Sequence, residues 1–217
     1  MKIINRTLFA ILILTIPLIC ILAAVNVSAR LPDIYRYEFN RSEIIGEMGL
    51  GVTSDELARF FSQYMLGTLD DFQYTDVKRE RPVFGIGEAV FMGRLRSLLN
   101  LSLFCLAGMV CFALFTYWFL LRQGRKEAVR FAYKAGMVLY AGLVAGIAFL
   151  LYKGDLLARA FDRFLLYRFE ETDAVPQLLP PVIVLEIAVV AAVLSLIVLL
   201  AGYSITKRLT RVVGMFY

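Results

Sequence analysis

One carboxylate stands inside the apolar runs of this 217-residue chain: Glu186, about one turn past Pro181 in a stretch of Val, Ile, Leu and Ala. A carboxylate in hydrocarbon is a functional candidate, because an ion there needs a partner, water or a proton. The alternative is a hydrated or paired group near the interface, with Arg94 or Arg159 as partner. Arg94 and Arg96 stand at the mouth of the second apolar run, where they would reach lipid or lipoprotein headgroups or act as snorkelling anchors. Histidine is absent. That removes Ser-His-Asp and Cys-His catalysis, histidine-zinc sites and the usual base near neutral pH. Cys20, Cys105 and Cys111 all fall inside apolar runs and read as small packing residues, with no framework of disulfides. Gly85-Ile86-Gly87 is a poor phosphate cradle, because no Walker lysine follows it. No cofactor or metal is expected.

The elements that must position these groups follow from composition. With 60% hydrophobic and 19% charged residues, the chain is too apolar for one soluble core, which excludes a purely soluble enzyme. Four runs are long enough to cross a bilayer: Thr7 to Val25, Leu98 to Leu121, Ala135 to Tyr152 and Val182 to Ile205. Each must be helical, since hydrocarbon offers the backbone no hydrogen-bond partners. The expected fold is therefore an all-α polytopic membrane protein with four transmembrane helices and a small outward-facing helical segment. The first run could instead be a cleaved signal ending at Val27-Ser28-Ala29, although it exceeds the usual apolar core of about 7–15 residues.

Orientation follows the basic residues. Segments 1–6, 122–134 and 206–217 hold ten Lys and Arg against Glu127 alone, whereas 26–96 and 153–181 hold sixteen of the eighteen acidic residues. Both termini are thus expected in the cytoplasm of a bacterial cell membrane. The chain divides into 1–25, a cytoplasmic start and first span; 26–96, an extracytoplasmic segment; 97–152, two spans with a basic cytoplasmic loop; 153–181, a second extracytoplasmic segment; and 182–217, the last span and tail. The net charge of +5 serves topology and lipid headgroups, so no nucleic-acid partner is needed to explain it.

Function is to be sought in the two outer segments. Thr53-Ser54-Asp55-Glu56 has the form of a capping box, Leu57, Phe60, Phe61, Tyr64 and Met65 follow a helical stripe, and Gly67 is placed to end the helix. The stripe is expected to pack on the outer span ends or at headgroup level, and Asp70 to Pro82 to be a solvated loop. Between Lys153 and Pro181, Leu156, Leu157, Ala160, Phe161, Phe164, Leu165 and Tyr167 alternate with charges at helical spacing, which suits a helix lying along the interface. Gly142-Leu143-Val144-Ala145-Gly146 allows close approach of another helix, within the chain or from a second copy.

This order of features, with Phe169-Glu170-Glu171-Thr172-Asp173-Ala174-Val175-Pro176-Gln177-Leu178-Leu179-Pro180 and Tyr64-Met65-Leu66-Gly67, resembles the lipoprotein intramolecular transacylase (Lit) family of Gram-positive bacteria. The resemblance implies an acyltransferase that moves the sn-2 acyl chain of a diacylglyceryl-modified lipoprotein cysteine onto that cysteine's own amino group, at the outer face. Such aminolysis of an ester needs a base for the amine and donors for the oxyanion. The family's two characteristic histidines fall where this chain has Phe91 and Asp162. The resemblance therefore implies Asp162 or Glu186 as proton acceptor, with Arg94, Arg96 or Arg163 holding the oxyanion or the substrate's charges. Its partner would be a membrane lipid or lipoprotein. The competing expectation is a non-catalytic binding or accessory subunit of a membrane complex, partnered by another membrane protein.

Overall fold

The computed structural model describes residues 2–76, 81–152 and 173–210. Four long helices dominate it: α1 (Lys2–Ser28), α5 (Ile86–Arg122), α6 (Lys126–Tyr152) and α8 (Pro181–Leu209). All four are long and apolar enough to cross a membrane. Large apolar side chains such as Phe104, Leu114, Val138 and Ile197 face outward along them. That surface is too extensive for water and is suited to lipid. The helices outrun the apolar runs that reveal them. At 37 residues α5 is roughly 55 Å long against a hydrocarbon thickness of about 30 Å, so several turns extend past the lipid core. Its polar first turns are stabilised by packing, with Met92 fully buried.

Between α1 and α5 lie α2 (Pro32–Ser42), α3 (Ile44–Glu47), α4 (Ser54–Leu66) and a pair of two-residue antiparallel strands, β1 (Thr75–Asp76) and β2 (Arg81–Pro82). These strands are the only departure from all-α structure among the described residues, and they replace part of the expected solvated loop. A short α7 (Ala174–Leu178) precedes α8. The helix expected over residues 156–167 lies outside the described residues.

The chain forms two compact units. The bundle unit comprises Met1–Ala24, Leu103–Phe149 and Ala192–Tyr217. Its core is Leu12, Ile16, Cys20, Leu120, Val129, Ala132, Tyr140 and Leu199. Close approach comes from glycines other than those the sequence pattern suggests. A Cβ on Gly136 would lie 3.4 Å from the Ile13 carbonyl oxygen, and one on Gly202 would lie 3.0 Å from the Tyr133 hydroxyl. Pro17, inside α1, has no N–H to give Ile13, so that carbonyl is free where Gly136 meets it. Gly142 and Gly146 have nothing within 4 Å. Among the described residues no neighbour packs on those two, which leaves a second copy as the other partner the pattern allows. Cys20 packs as expected, but Cys105 and Cys111 are exposed. Tyr140 donates to the Ala192 carbonyl at 2.7 Å and lies 2.9 Å from Ser195 Oγ. Arg130 donates through Nε to Thr210 Oγ1 at 2.7 Å and through Nη2 to its carbonyl at 2.9 Å.

The polar unit comprises Val25–Ser102 and Leu150–Ala191. The capping box is fully formed: Thr53 Oγ1 accepts from the Glu56 N–H, and Glu56 Oε2 accepts from the Thr53 N–H at 3.0 Å. Gly67 adopts φ 86° and its N–H reaches back to Tyr64, a left-handed cap that favours glycine. The stripe Leu57, Phe60, Phe61, Tyr64 and Met65 is buried in a core shared with Ile34, Tyr35, Phe39, Phe72 and Phe84. Met92 and Ile183, in the first turns of α5 and α8, complete it, so the stripe packs on helix ends and on α2 together. Aromatic centroids stand 4.5 Å apart for Phe72 and Phe84 and 5.2 Å for Phe61 and Phe72, within the range where edge and offset contacts add to burial.

Candidate functional site

Glu186 sits in the second turn of α8 with its side chain 18% exposed. Arg41 of α2 meets it, Nη1 to Oε1 at 3.1 Å. The pairing with an arginine that the sequence suggested is thus present, with Arg41 in that place; Arg159 lies outside the described residues. The same guanidinium also holds Glu38, Nη2 to Oε2 at 2.6 Å. Glu38 is buried at 1% exposure. The Arg41 to Glu38 contact is an ion pair off the N–H line, since Glu38 Oε2 has no directed hydrogen bond. Glu186 Oε2 is likewise buried without one, and the two carboxyls are near neighbours. Glu38 and its neighbouring charges hold the Arg41 guanidinium above its ordinary value.

A second electropositive feature lies at the end of α4. The last carbonyls of a helix lack partners within it. Arg30 Nε donates to the Met65 carbonyl at 3.1 Å, closing one of them. Its Nη1 donates to Asn26 Oδ1 at 2.5 Å and to the Asn26 carbonyl at 3.0 Å, and Nη2 to Asn100 Oδ1 at 3.1 Å. Asn26 Nδ2 in turn donates to Ser102 Oγ at 2.7 Å. These acceptors are all neutral. Burial pushes Arg30 below its ordinary value, yet it keeps its charge, because guanidinium is too basic to lose it. Beside it, Arg96 donates to the Leu69 carbonyl at 2.7 Å and stacks 5.0 Å from the Tyr64 ring centroid. Burial raises the Tyr64 hydroxyl and the Arg96 charge partly offsets this.

Glu88 fills the turn formed by the nearby glycines. Buried at 2% exposure, its Oε2 accepts the Gly85 N–H at 2.7 Å and its Oε1 the Val175 N–H at 2.6 Å. The anion that the glycine turn attracts is therefore the chain's own side chain. This bond also ties α7 to the start of α5. Ala174, Val175 and Leu178, from the stretch that carries the family resemblance, are core residues.

Of the residues singled out by sequence, Glu186 and Arg96 lie in the polar unit, each with partners other than those expected. Arg94 is exposed, and Phe91 is partly buried against the aromatic core. Asp162 and Arg163 lie outside the described residues. An open cleft of about 870 Å³, lined by Phe39, Asn40, Glu43, Thr53 and Asp55 among others, contains none of the expected residues. Its Glu43 and Asp55 carboxylates are solvent-exposed, whereas Glu186 is the more enclosed. Sequence reasoning missed Glu38, Arg41, Arg30 and Glu88. A signal for Glu38 existed: Ile34, Tyr35, Glu38 and Phe39 share one helical face, which places a carboxylate on a buried stripe.

No family model matches the chain, and no curated protein matches it in sequence. Solved structures match over nearly its whole length. The membrane integral lipoprotein intramolecular transacylase Lit from Bacillus cereus, in a form with a histidine-to-alanine substitution, is 16% identical with a TM-score of 0.70, covering 96% of this chain and 94% of that one. A further structure of the same protein gives 14% identity and a TM-score of 0.69, covering 97% and 99%. The four-span helical arrangement of this protein is thus the fold of Lit, with a sequence far removed from it.

Proposed function

We propose that this Lit-like membrane protein works at the outer leaflet on lipids or lipoproteins, moving an acyl chain from oxygen to nitrogen within a diacylated lipoprotein. One observation carries the reading: a fold match that covers 96% of this chain and 94% of a lipoprotein transacylase. The polar unit then faces outward, both termini lie in the cytoplasm, and the spans and loops divide as the charge pattern predicts. The amine of the substrate must lose its proton before it can attack the ester. With no histidine in the chain, carboxylates take that role, Glu186 at the head of the last span and Asp162 in the second outer segment. Arg94, Arg96 and Arg163 provide positive charge for the oxyanion and for headgroups.

Mass spectrometry of lipoprotein amino termini from cells with and without the protein tests this. The expected result is an acyl chain on the cysteine nitrogen that depends on the protein and is lost with E186Q or D162N. Unchanged amino termini under overexpression would remove the enzymatic reading. The lack of histidine favours a second reading, a non-catalytic binding or accessory subunit. That reading expects co-purification with another membrane protein, unaltered by either substitution.

A further inference from the structure

Glu38 is a carboxylate that folding does not explain. It lies at 1% exposure on the face of α2 that buries Ile34, Tyr35 and Phe39, where an apolar side chain would serve stability as well or better. Among the described residues Arg41 is the cation that pairs with it, and that guanidinium is shared with Glu186. Each glutamate keeps one buried oxygen without a directed hydrogen bond. Two carboxylates have thus been placed side by side under one cation, one at the edge of the unit and one sealed within it.

We propose that Glu38 is a positioning residue and second proton store for Glu186, so that the pair accepts two protons during acyl transfer. The inference rests on the transacylase reading above. Its basis is the proton balance of the reaction. An ammonium nitrogen carries three protons and the amide product one, so two N–H bonds break while one C–N bond forms and one ester C–O bond breaks. One proton ends on the departing glyceryl oxygen and the other in solvent. Glu186 takes the first from the ammonium, and the freed lone pair adds to the ester carbonyl carbon. A carboxyl already loaded cannot take the second. Passing the first proton inward to Glu38 restores Glu186, which strips the second from the tetrahedral adduct and delivers it to the alkoxide as the C–O bond breaks. The stored proton then leaves through Glu186 to water. Transfer between the glutamates leaves the net charge beside Arg41 unchanged, so no new charge is buried.

The test uses the full chain in lipid bilayers with a diacylglyceryl lipopeptide bearing a free amino terminus, following acyl migration by mass spectrometry. E38Q should lower kcat by about 100-fold with KM within about twofold, and E38D, which keeps the carboxylate, should recover about tenfold of that loss. Arg41 is half-exposed, so Arg41→Gln tests the same pair with little demand on folding and should also reduce kcat rather than raise KM. E38Q turnover equal to wild type, equal defects in E38Q and E38D, or an Arg41→Gln variant with unchanged kcat each overturns the proposal. A wild-type chain that moves no acyl group overturns the transacylase reading and this inference with it.

Discussion

Among the described residues the bundle unit buries only neutral polar groups, whereas the polar unit buries carboxyl groups too. Inside the bundle the buried polar groups are hydroxyls, and several lean on a nearby carbonyl: Thr15 on Ile11, Tyr140 on Ala192, Thr210 on Thr206. Inside the polar unit the carboxyl groups of Glu38 and Glu88 are buried as well, beside neutral Asn26, Ser28 and Ser62, with Arg30 partly buried nearby. The difference follows from the solvent each must exclude. A helix facing lipid has satisfied its own backbone, so a hydroxyl can be added at little expense, whereas an ion would lack donors. In the polar unit, loops and helix ends leave backbone N–H and C=O groups open, and those groups are what Glu88 and Arg30 bind.

The contrast can be broken at its aromatic centre. Phe61 is fully buried and touches Tyr35, Phe39, Phe60, Phe72 and Phe84. Phe61→Ala should destabilise the polar unit by about 3–5 kcal/mol. Hydrogen exchange read by mass spectrometry should show this over residues 32–76 while the bundle helices keep their protection; loss of protection spread evenly over both units would contradict the expectation that each unit opens by itself. Glu88→Ala leaves the buried Val175 N–H and the part-buried Gly85 N–H unanswered and should cost about 2–3 kcal/mol, seen as faster exchange at Val175 than in wild type. In the bundle, Gly202→Ala sets a methyl against Tyr133 and should cost about 1–3 kcal/mol, whereas Gly146→Ala, in open space, should leave thermal unfolding unchanged. Glu56 makes the smallest change. Its carboxyl is held below the usual value, first by the Thr53 N–H, so its contribution is complete above about pH 4.3 and fades as pH falls through the lower folded value. E56Q should abolish that acid-dependent loss in a pH series of melting curves.

How much of this was legible beforehand depends on how local each signal is. The four spans announce themselves by unbroken apolarity, and the Thr53 to Gly67 helix by a cap, a stripe and a stop within fifteen residues. By contrast α2 is short and polar overall, and its stripe contains Glu38, so its burial becomes visible only once α4 and Phe72 lie against it. The choice of Arg41 over Arg94 for Glu186 is a fact of tertiary geometry, as is the reach of Glu88 to an amide 87 residues away. The glycines at 142 and 146 meet no described neighbour, whereas Gly136 faces a proline-containing helix and Gly202 faces Tyr133, which the spacing of glycines alone does not reveal. Asp162 and Arg163 rest on resemblance alone.

That meeting of Pro17 and Gly136 has a consequence for how such chains diverge. A carbonyl without its own helix's donor can accept a weak C–H contact from a residue that comes very near, so the two sites are expected to change together. Lineages that trade Pro17 for a residue with an amide hydrogen should be the ones in which position 136 drifts to alanine or larger, and a chimera taking one site from each kind of ancestor should be less stable than either parent.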